Sequence, residues 1–324
     1  MKRLLFYLAP VVLFSFLAWY SSKTDPVRCP PALSRAAFDR SIGIDCLGSE
    51  FILQRSLDRK IRKKARELIS QRKAEAASGK ESSIPRIIHQ VWTSESPLPD
   101  QLAASARLLK QQHPDFTYIL WGPKEYEPIL QGLIGPAYSS LPLPVVRDLA
   151  IAAVLWRQGG LAVDLEAECV QPATPLLSLG DCLLGFDPPR AKAKYGRHLF
   201  LSPSVMAATP SHPLVMAYLT EMIRRIKEGE QSGEYKVGWI TQDALTTAAS
   251  QSTQADRVLF FGPTYFCPIN RDHISHFREI LEGERKRSMV KKVLHSLHMI
   301  SIPPYSGRHF CPDQRYILTN CYIQ

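Results

Sequence analysis

A helical stretch from Val145 to Gln158 stops at Gly159-Gly160, and a short apolar strand, Leu161 to Val163, follows at once. A glycine pair ends a helix because glycine alone reaches the left-handed backbone freely. Immediately beyond the strand come three acids in alternation, Asp164, Glu166 and Glu168. In an extended segment every second side chain points the same way, so all three can face one side. Carboxylates gathered like this repel one another unless a hard cation or another positive group sits among them. Mg²⁺ and Mn²⁺ favour oxygen ligands, and an ion bridging protein carboxylates to a substrate diphosphate is one chemical use of the pattern. A solvated strand end is the plain alternative.

The surroundings of this junction decide the fold class. Arg86 to Trp92 is rich in apolar and β-branched residues and is expected to be a strand. Pro99 to Gln112 suits a helix, and Thr117 to Trp121 a second strand, closed by Gly122-Pro123. Alternating strands and helices of these lengths imply an α/β layer structure with a mostly parallel central sheet. Ligands of open α/β sheets bind beyond the carboxyl ends of the strands, where Asp164 lies. With 324 residues, 45% of them hydrophobic, the chain has the means to bury a substantial core.

The first eighty residues differ in kind from the middle. Leu4 to Tyr20 is an almost unbroken apolar run after Lys2 and Arg3, read as an uncleaved signal-anchor with a cytoplasmic N-terminus. A cleaved signal peptide is the competing reading. The division is then a transmembrane segment at 1–23, a stem at 24–83 and a folded domain at 84–324. Within the stem, Arg55 to Lys73 is strongly basic, with Leu53, Leu57, Ile61 and Leu68 near helical spacing. A stem helix, a contact with anionic lipid headgroups and a nucleic-acid contact compete for it. The last is set aside because a lumenal location excludes it and no nucleic-acid motif accompanies it. Seven cysteines fit an oxidising compartment, and none forms a C-x-x-C pair that would suggest structural zinc. Neither Asn270 nor Asn320 begins a glycosylation sequon.

Five segments in order resemble a known family: IPRIIHQVW (84–92), HPDFTYILW (113–121), DLEAECVQP (164–172), SVMAATPSHP (204–213) and FGPTYFCPI (261–269). They are similar to the glycosyltransferases with a DxD sugar-binding region. That group includes fungal outer-chain α-1,6-mannosyltransferases and inositol-phosphoceramide mannosyltransferases. The resemblance implies a GT-A type nucleotide-sugar-binding fold, a divalent cation (Mn²⁺ or Mg²⁺) and transfer with retention of anomeric configuration. It implies GDP-mannose or a UDP-sugar as donor, and a glycan or glycolipid as acceptor. The location it implies is the Golgi or another secretory-pathway membrane, as a single-pass type II protein with a lumenal catalytic domain. Carried over by position, Asp164 and Glu166 are the metal-holding and catalytic acids. Trp92 packs near the donor base, Asp148 holds the donor sugar or ribose, and His298, with His295 near it, contacts the diphosphate.

The chain departs from the family pattern at several places, among them VGWITQDALTT (237–247), which does not reproduce a later Gly-Pro loop, and the absence of the Trp that usually follows the late His. The second acid of the motif is Glu166, longer by a methylene than the usual Asp. Ala162 stands where a Tyr is usual, and Ile151 stands one turn after Asp148, where an Arg is usual. Arg147 and Arg157 are cations of the same helix that could serve instead. These departures motivate an alternative, a catalytically inactive relative acting as a lumenal sugar-binding or scaffold protein. His89, inside the first strand, is expected to be structural, and His212, before Pro213, to mark a turn.

Overall fold

The structure is a computed structural model, and it describes residues 56–76, 84–169, 172–187, 189–190, 193–252, 258–266 and 299–300. The apolar run at 4–20, the linker at 78–83, His295, His298 and five of the seven cysteines lie outside the described residues.

Among the described residues helix α1 (Ser56–Ala76) is followed by β1 (Ile87–Val91), α2 (Asp100–Gln112), β2 (Thr117–Trp121) and α3 (Pro123–Ile134). Next are α4 (Leu143–Gln158), β3 (Gly160–Val163), β4 (Glu168–Cys169), α5 (Thr174–Leu177), β5 (Cys182–Phe186) and β6 (Leu201–Ala208). Helix α6 (Pro213–Ser232), a π-helical turn at Trp239–Asp243, α7 (Ala244–Gln251), β7 (Val258–Phe261), α8 (Pro263–Phe266) and β8 (Met299–Ile300) complete the described elements. Six strands form one sheet in the order β2-β1-β3-β6-β5-β7. The pairs β1–β2, β1–β3 and β5–β7 are parallel, and β6 runs antiparallel to both of its neighbours. The mixed α/β architecture and predominance of parallel pairing agree with the sequence expectation. The inverted β6 was not foreseen.

The elements form for local reasons. Gly122 ends β2, and its N–H donates to the Glu125 carboxylate at 2.9 Å, capping α3, which has Pro123 in its first turn. Helix α4 is buried continuously from Asp148 to Leu155, which explains why it is apolar almost all round. It packs against the sheet on one side and α6 on the other. Gly159 caps it in the left-handed region, and Gly160 follows with φ +106°. A Cβ on Gly160 would lie 2.6 Å from the Ile87 carbonyl oxygen, so glycine is what lets β3 pair so tightly with β1.

The basic helix assigned from the sequence to a stem is packed into the same core from α1 onward. Ile61, Ala65 and Leu68 are buried with residues of α4, α6, α7 and β7. Burial of the two larger side chains stabilises the contact by about 2 kcal/mol each. Asp58 is also buried, and its carboxylate accepts the backbone N–H groups of His198 (2.9 Å) and Leu199 (3.0 Å). The charged residues Arg59, Lys60 and Lys63 face outward.

Candidate functional site

Asp164 leaves the carboxyl end of β3 with its backbone held from three sides. Its N–H donates to Ser204 O at 2.7 Å, and its carbonyl accepts from Ala167 N at 3.0 Å and from Gln90 Nε2 at 3.3 Å. Gln90 is itself oriented by the Tyr118 hydroxyl, which donates to its Oε1 at 2.7 Å. Ser204 faces Asp164 because the β3–β6 pairing, Val163 opposite Val205, continues by one residue; on the other edge of β6 the β5–β6 register shifts between Leu184 and Gly185, opposite Ser202–Met206. Pro203, which has no N–H to give to a ladder, sits at that irregularity. The turn at Leu165-Glu166 then carries Glu166 to a partly exposed position. Glu168 enters β4, where its backbone pairs with Ile300.

A narrow cleft opens beside Asp164. Val91 of β1, Ala162 and Val163 of β3, Pro203 of β6, and Arg147, Asp148 and Ile151 of α4 form its walls. Arg147 and Ile151 are four residues apart on one helix and so share a face. The guanidinium of Arg147 lies among the acids. Its Nε and Nη2 each approach Asp148 Oδ1 at 3.0 Å, and its Nη1 lies 3.0 Å from Asp164 Oδ2 and 3.3 Å from Oδ1. The nearer oxygen, Oδ2, is buried and ion-paired, yet it receives no hydrogen bond of adequate direction. Burial alone would lower the Arg147 pKa, but Asp164, Asp148 and Glu166 together raise it, so the side chain stays charged. Burial pushes the Asp148 carboxyl upward; Arg147 opposes that and Asp164 adds to it. Tyr218 of α6 is buried close enough to feel the Asp148 charge, and burial followed by that charge moves its phenol far upward.

The structure brings together Asp148, Asp164 and, through its field on Arg147, Glu166. Trp92 lies just past β1, where its backbone N–H donates to Trp121 O at 2.9 Å and its indole Nε1 to Ser96 O at 2.6 Å. Val91, not Trp92, forms the β1 wall of the cleft. His298 lies outside the described residues. Of the two alternative cations, Arg147 is at the cleft, whereas Arg157 is exposed in the last turn of α4. Gln90, Pro203 and Ser204 escaped the sequence reading. Gln90 did carry a signal, as a polar residue inside a strand otherwise fit for burial.

His89 is structural. Trp121 Nε1 can only donate, so at 3.1 Å it assigns His89 Nδ1 as acceptor, and Nε2–H donates to Gly159 O at 2.8 Å. Burial lowers its pKa. His212 caps α6, accepting Leu214 N–H at 3.2 Å. Cys169 and Cys182 are both buried.

Among the described residues no group of three or more His, Cys, Asp or Glu side chains is gathered closely enough to hold a metal ion. The donors present are nevertheless suited to a hard divalent ion. Such ions are commonly held by one or two carboxylates plus substrate phosphates, and Asp164 Oδ2 is a buried oxygen without a hydrogen bond.

The chain is similar to inositol phosphoceramide mannosyltransferase 1 of Schizosaccharomyces pombe, 30% identical over 147 residues, 43% of each protein. It is 28% identical over 160 residues to mannosyl phosphorylinositol ceramide synthase CSH1 of Saccharomyces cerevisiae, 48% of this chain and 37% of that protein. The matched region thus spans less than half the length of these relatives. Their names agree with the resemblance read from the five segments. No family model matches the chain. Among solved structures, the PaToxG glycosyltransferase is 12% identical with TM-score 0.41, covering 82% of this chain and 96% of that one. The glycosyltransferase GlyE of Streptococcus pneumoniae TIGR4 is 12% identical with TM-score 0.39, covering 75% of this chain and 61% of that one. Likenesses that loose say nothing about chemistry.

Proposed function

We propose that this protein is a glycosyltransferase that moves a sugar, mannose as first choice, from GDP-mannose or a UDP-sugar to a glycan or glycolipid acceptor. The observation that carries the reading is the acidic turn at the carboxyl end of β3, with Asp164 sharing a cleft with Asp148 and Arg147. Relatives named mannosyltransferases support the choice of sugar. The same reading takes the domain as GT-A type and the transfer as retaining. It anchors the chain by residues 4–20 as a type II protein of the Golgi or another secretory membrane, with the domain lumenal.

In this reading Asp164 and Glu166 hold a divalent cation, Mn²⁺ or Mg²⁺. When bound, that ion supplies Lewis-acid stabilisation of the leaving nucleoside diphosphate. The chain's own residues do the rest. Asp148 accepts hydrogen bonds from donor hydroxyls at the mouth of the cleft. Trp92 offers a partly exposed ring to the base, and His298 a hydrogen bond to the diphosphate. The Gln90 and Ser204 contacts hold the turn still, so Asp164 need not reorganise when charge develops. Melting curves with Mn²⁺ and a panel of GDP- and UDP-sugars test binding, and Asp164→Asn tests chemistry. Stabilisation by at least one donor, and a loss of transfer of about a hundredfold or more in the variant, are expected. Undiminished transfer by Asp164→Asn would sink the assignment.

A second reading is a sugar-binding or scaffold protein without turnover. Two observations favour it: Ile151 places an apolar wall on the cleft one turn after Arg147, and Arg147 already ion-pairs Asp164. Donor hydrolysis by the wild type, lost in Asp164→Asn, excludes it.

A further inference from the structure

We infer that Arg147 is a latch on the acidic turn: it ion-pairs Asp164 until a divalent cation takes that carboxylate, and the released guanidinium then binds the diphosphate of the incoming nucleotide. The inference rests on the proposed metal-dependent nucleotide-sugar reading of the same cleft.

Three observations carry it. First, the guanidinium stands where an ion on Asp164 would stand, 3.0 Å from Oδ2. Second, the pairing there is imperfect, because the buried Oδ2 receives no hydrogen bond from the nitrogen beside it. Only Oδ1 accepts an aligned hydrogen bond from Arg147, at 3.3 Å, so Oδ2 is open to a harder cation with no directional demand. Third, Arg147 has a second mooring at Asp148 Oδ1 through Nε and Nη2. Giving up Asp164 therefore leaves Arg147 paired and still within the cleft, with Nη1 freed. A planar guanidinium with several donors is well matched to phosphate oxygens. The two cations then act in sequence on a site whose acids outnumber its arginine.

The sign of the coupling makes this testable. A residue that competes with the metal but assists the nucleotide affects the two ligands oppositely, whereas a merely structural residue weakens both when it is replaced. Calorimetric titration of the full-length protein with Mn²⁺ alone, then with GDP and with UDP in saturating Mn²⁺, reads both effects. Arg147→Met is expected to bind Mn²⁺ about tenfold more tightly and the nucleotide about tenfold more weakly than wild type. Arg147→Lys keeps the charge but cannot span both carboxylates, so it should fall between; it carries the test if Arg147→Met does not fold. Arg157→Met, the same change at the exposed end of α4, should alter neither affinity. Unchanged Mn²⁺ affinity in the Arg147 variants overturns the latch while leaving the metal reading intact. Tighter Mn²⁺ with unchanged nucleotide affinity overturns the hand-over. No Mn²⁺ binding by wild type or variants overturns the metal reading and the latch together.

Discussion

Two buried arginine clusters lie in this domain, and they are assembled on opposite principles. In the first, between α6, the π-helical turn and α7, Arg225 donates to Asp243 Oδ2 and Glu221 Oε1 at 2.7 Å each, and to Thr247 Oγ1 at 3.1 Å. Arg197 Nε lies 2.7 Å from Asp243 Oδ1, and Arg197 donates to the same Thr247 hydroxyl at 3.0 Å. Toward the surface the exposed Arg224 extends the set against Glu221 and the exposed Glu228, giving three arginines with three acids. The Trp239 ring lies under the Arg225 guanidinium at 4.7 Å. In the second cluster, at the end of β3, Arg147 is shared between two buried acids, Asp148 and Asp164. It also lines the cleft beside Asp164, whose walls include no residue of the first cluster. A balanced cluster inside the fold holds elements together. Under the proposed function, an unbalanced one at the carboxyl edge of a sheet would keep charge in reserve for a ligand.

The contrast breaks most visibly at Asp243. Replacing it with Ala leaves Arg197 and Arg225 buried without their shared carboxylate, a loss of about 3–5 kcal/mol. Urea or thermal melts should show that loss or an unfolded protein. A change under about 1 kcal/mol would mean the balanced cluster is not structural. The matching change in the other cluster, Asp164→Asn, should do the reverse. Arg147 keeps Asp148, and a repulsive charge leaves, so the melt should shift by about 1 kcal/mol or less while transfer is lost. Equal destabilisation at Asp164 and Asp243 would erase the distinction. Gly160→Ala tests the scaffold beneath the acidic cluster. The left-handed backbone and the 2.6 Å approach to Ile87 O predict a loss of about 1–3 kcal/mol, together with weakened metal binding as Asp164 shifts.

The sequence was legible where pattern is local. Strands 87–91 and 117–121, helix 100–112, and the helix–glycine–strand junction at 143–163 all fall within two residues of their periodicity. That is enough to place Asp148 and Asp164 near one another. It was not legible where partners are distant. Nothing in Leu201–Ala208 says that it inserts antiparallel between β3 and β5, because pairing is settled by what else needs covering. The basic composition of α1 concealed that Ile61, Ala65, Leu68 and an acid, Asp58, enter the core. Asp58 does so because backbone N–H groups of a distant loop receive it, which no spacing reveals. Arg147 was one of two candidate cations until the helix was set against the sheet, and its approach to Asp164 depends on the rotation of α4.

The smallest expected effect is the pH background against which both clusters must be compared. Burial lowers the pKa of His89, and the same cause lowers that of His113. His113 is fixed as His89 is, with Nδ1–H donating to Leu109 O at 2.9 Å and Nε2 accepting Ala173 N–H at 2.8 Å. Each is therefore neutral in the fold, while the unfolded chain takes up a proton near its ordinary value of 6.5. The unfolded state binds more protons below that value, so the stability these residues protect is intact above it and declines as pH falls. The slope is at most about 1.4 kcal/mol per pH unit for each proton. Asp148 acts with the opposite sign, because burial raises its pKa and a falling pH relieves the folded state of its charge. Urea melts between pH 7.5 and 5 should therefore lose stability less steeply in His89→Gln than in wild type, and as pH falls further toward 3.8 more steeply in Asp148→Asn. Identical slopes in wild type and His89→Gln would mean that His89 takes up a proton in the fold, against the donor and acceptor roles its two neighbours impose.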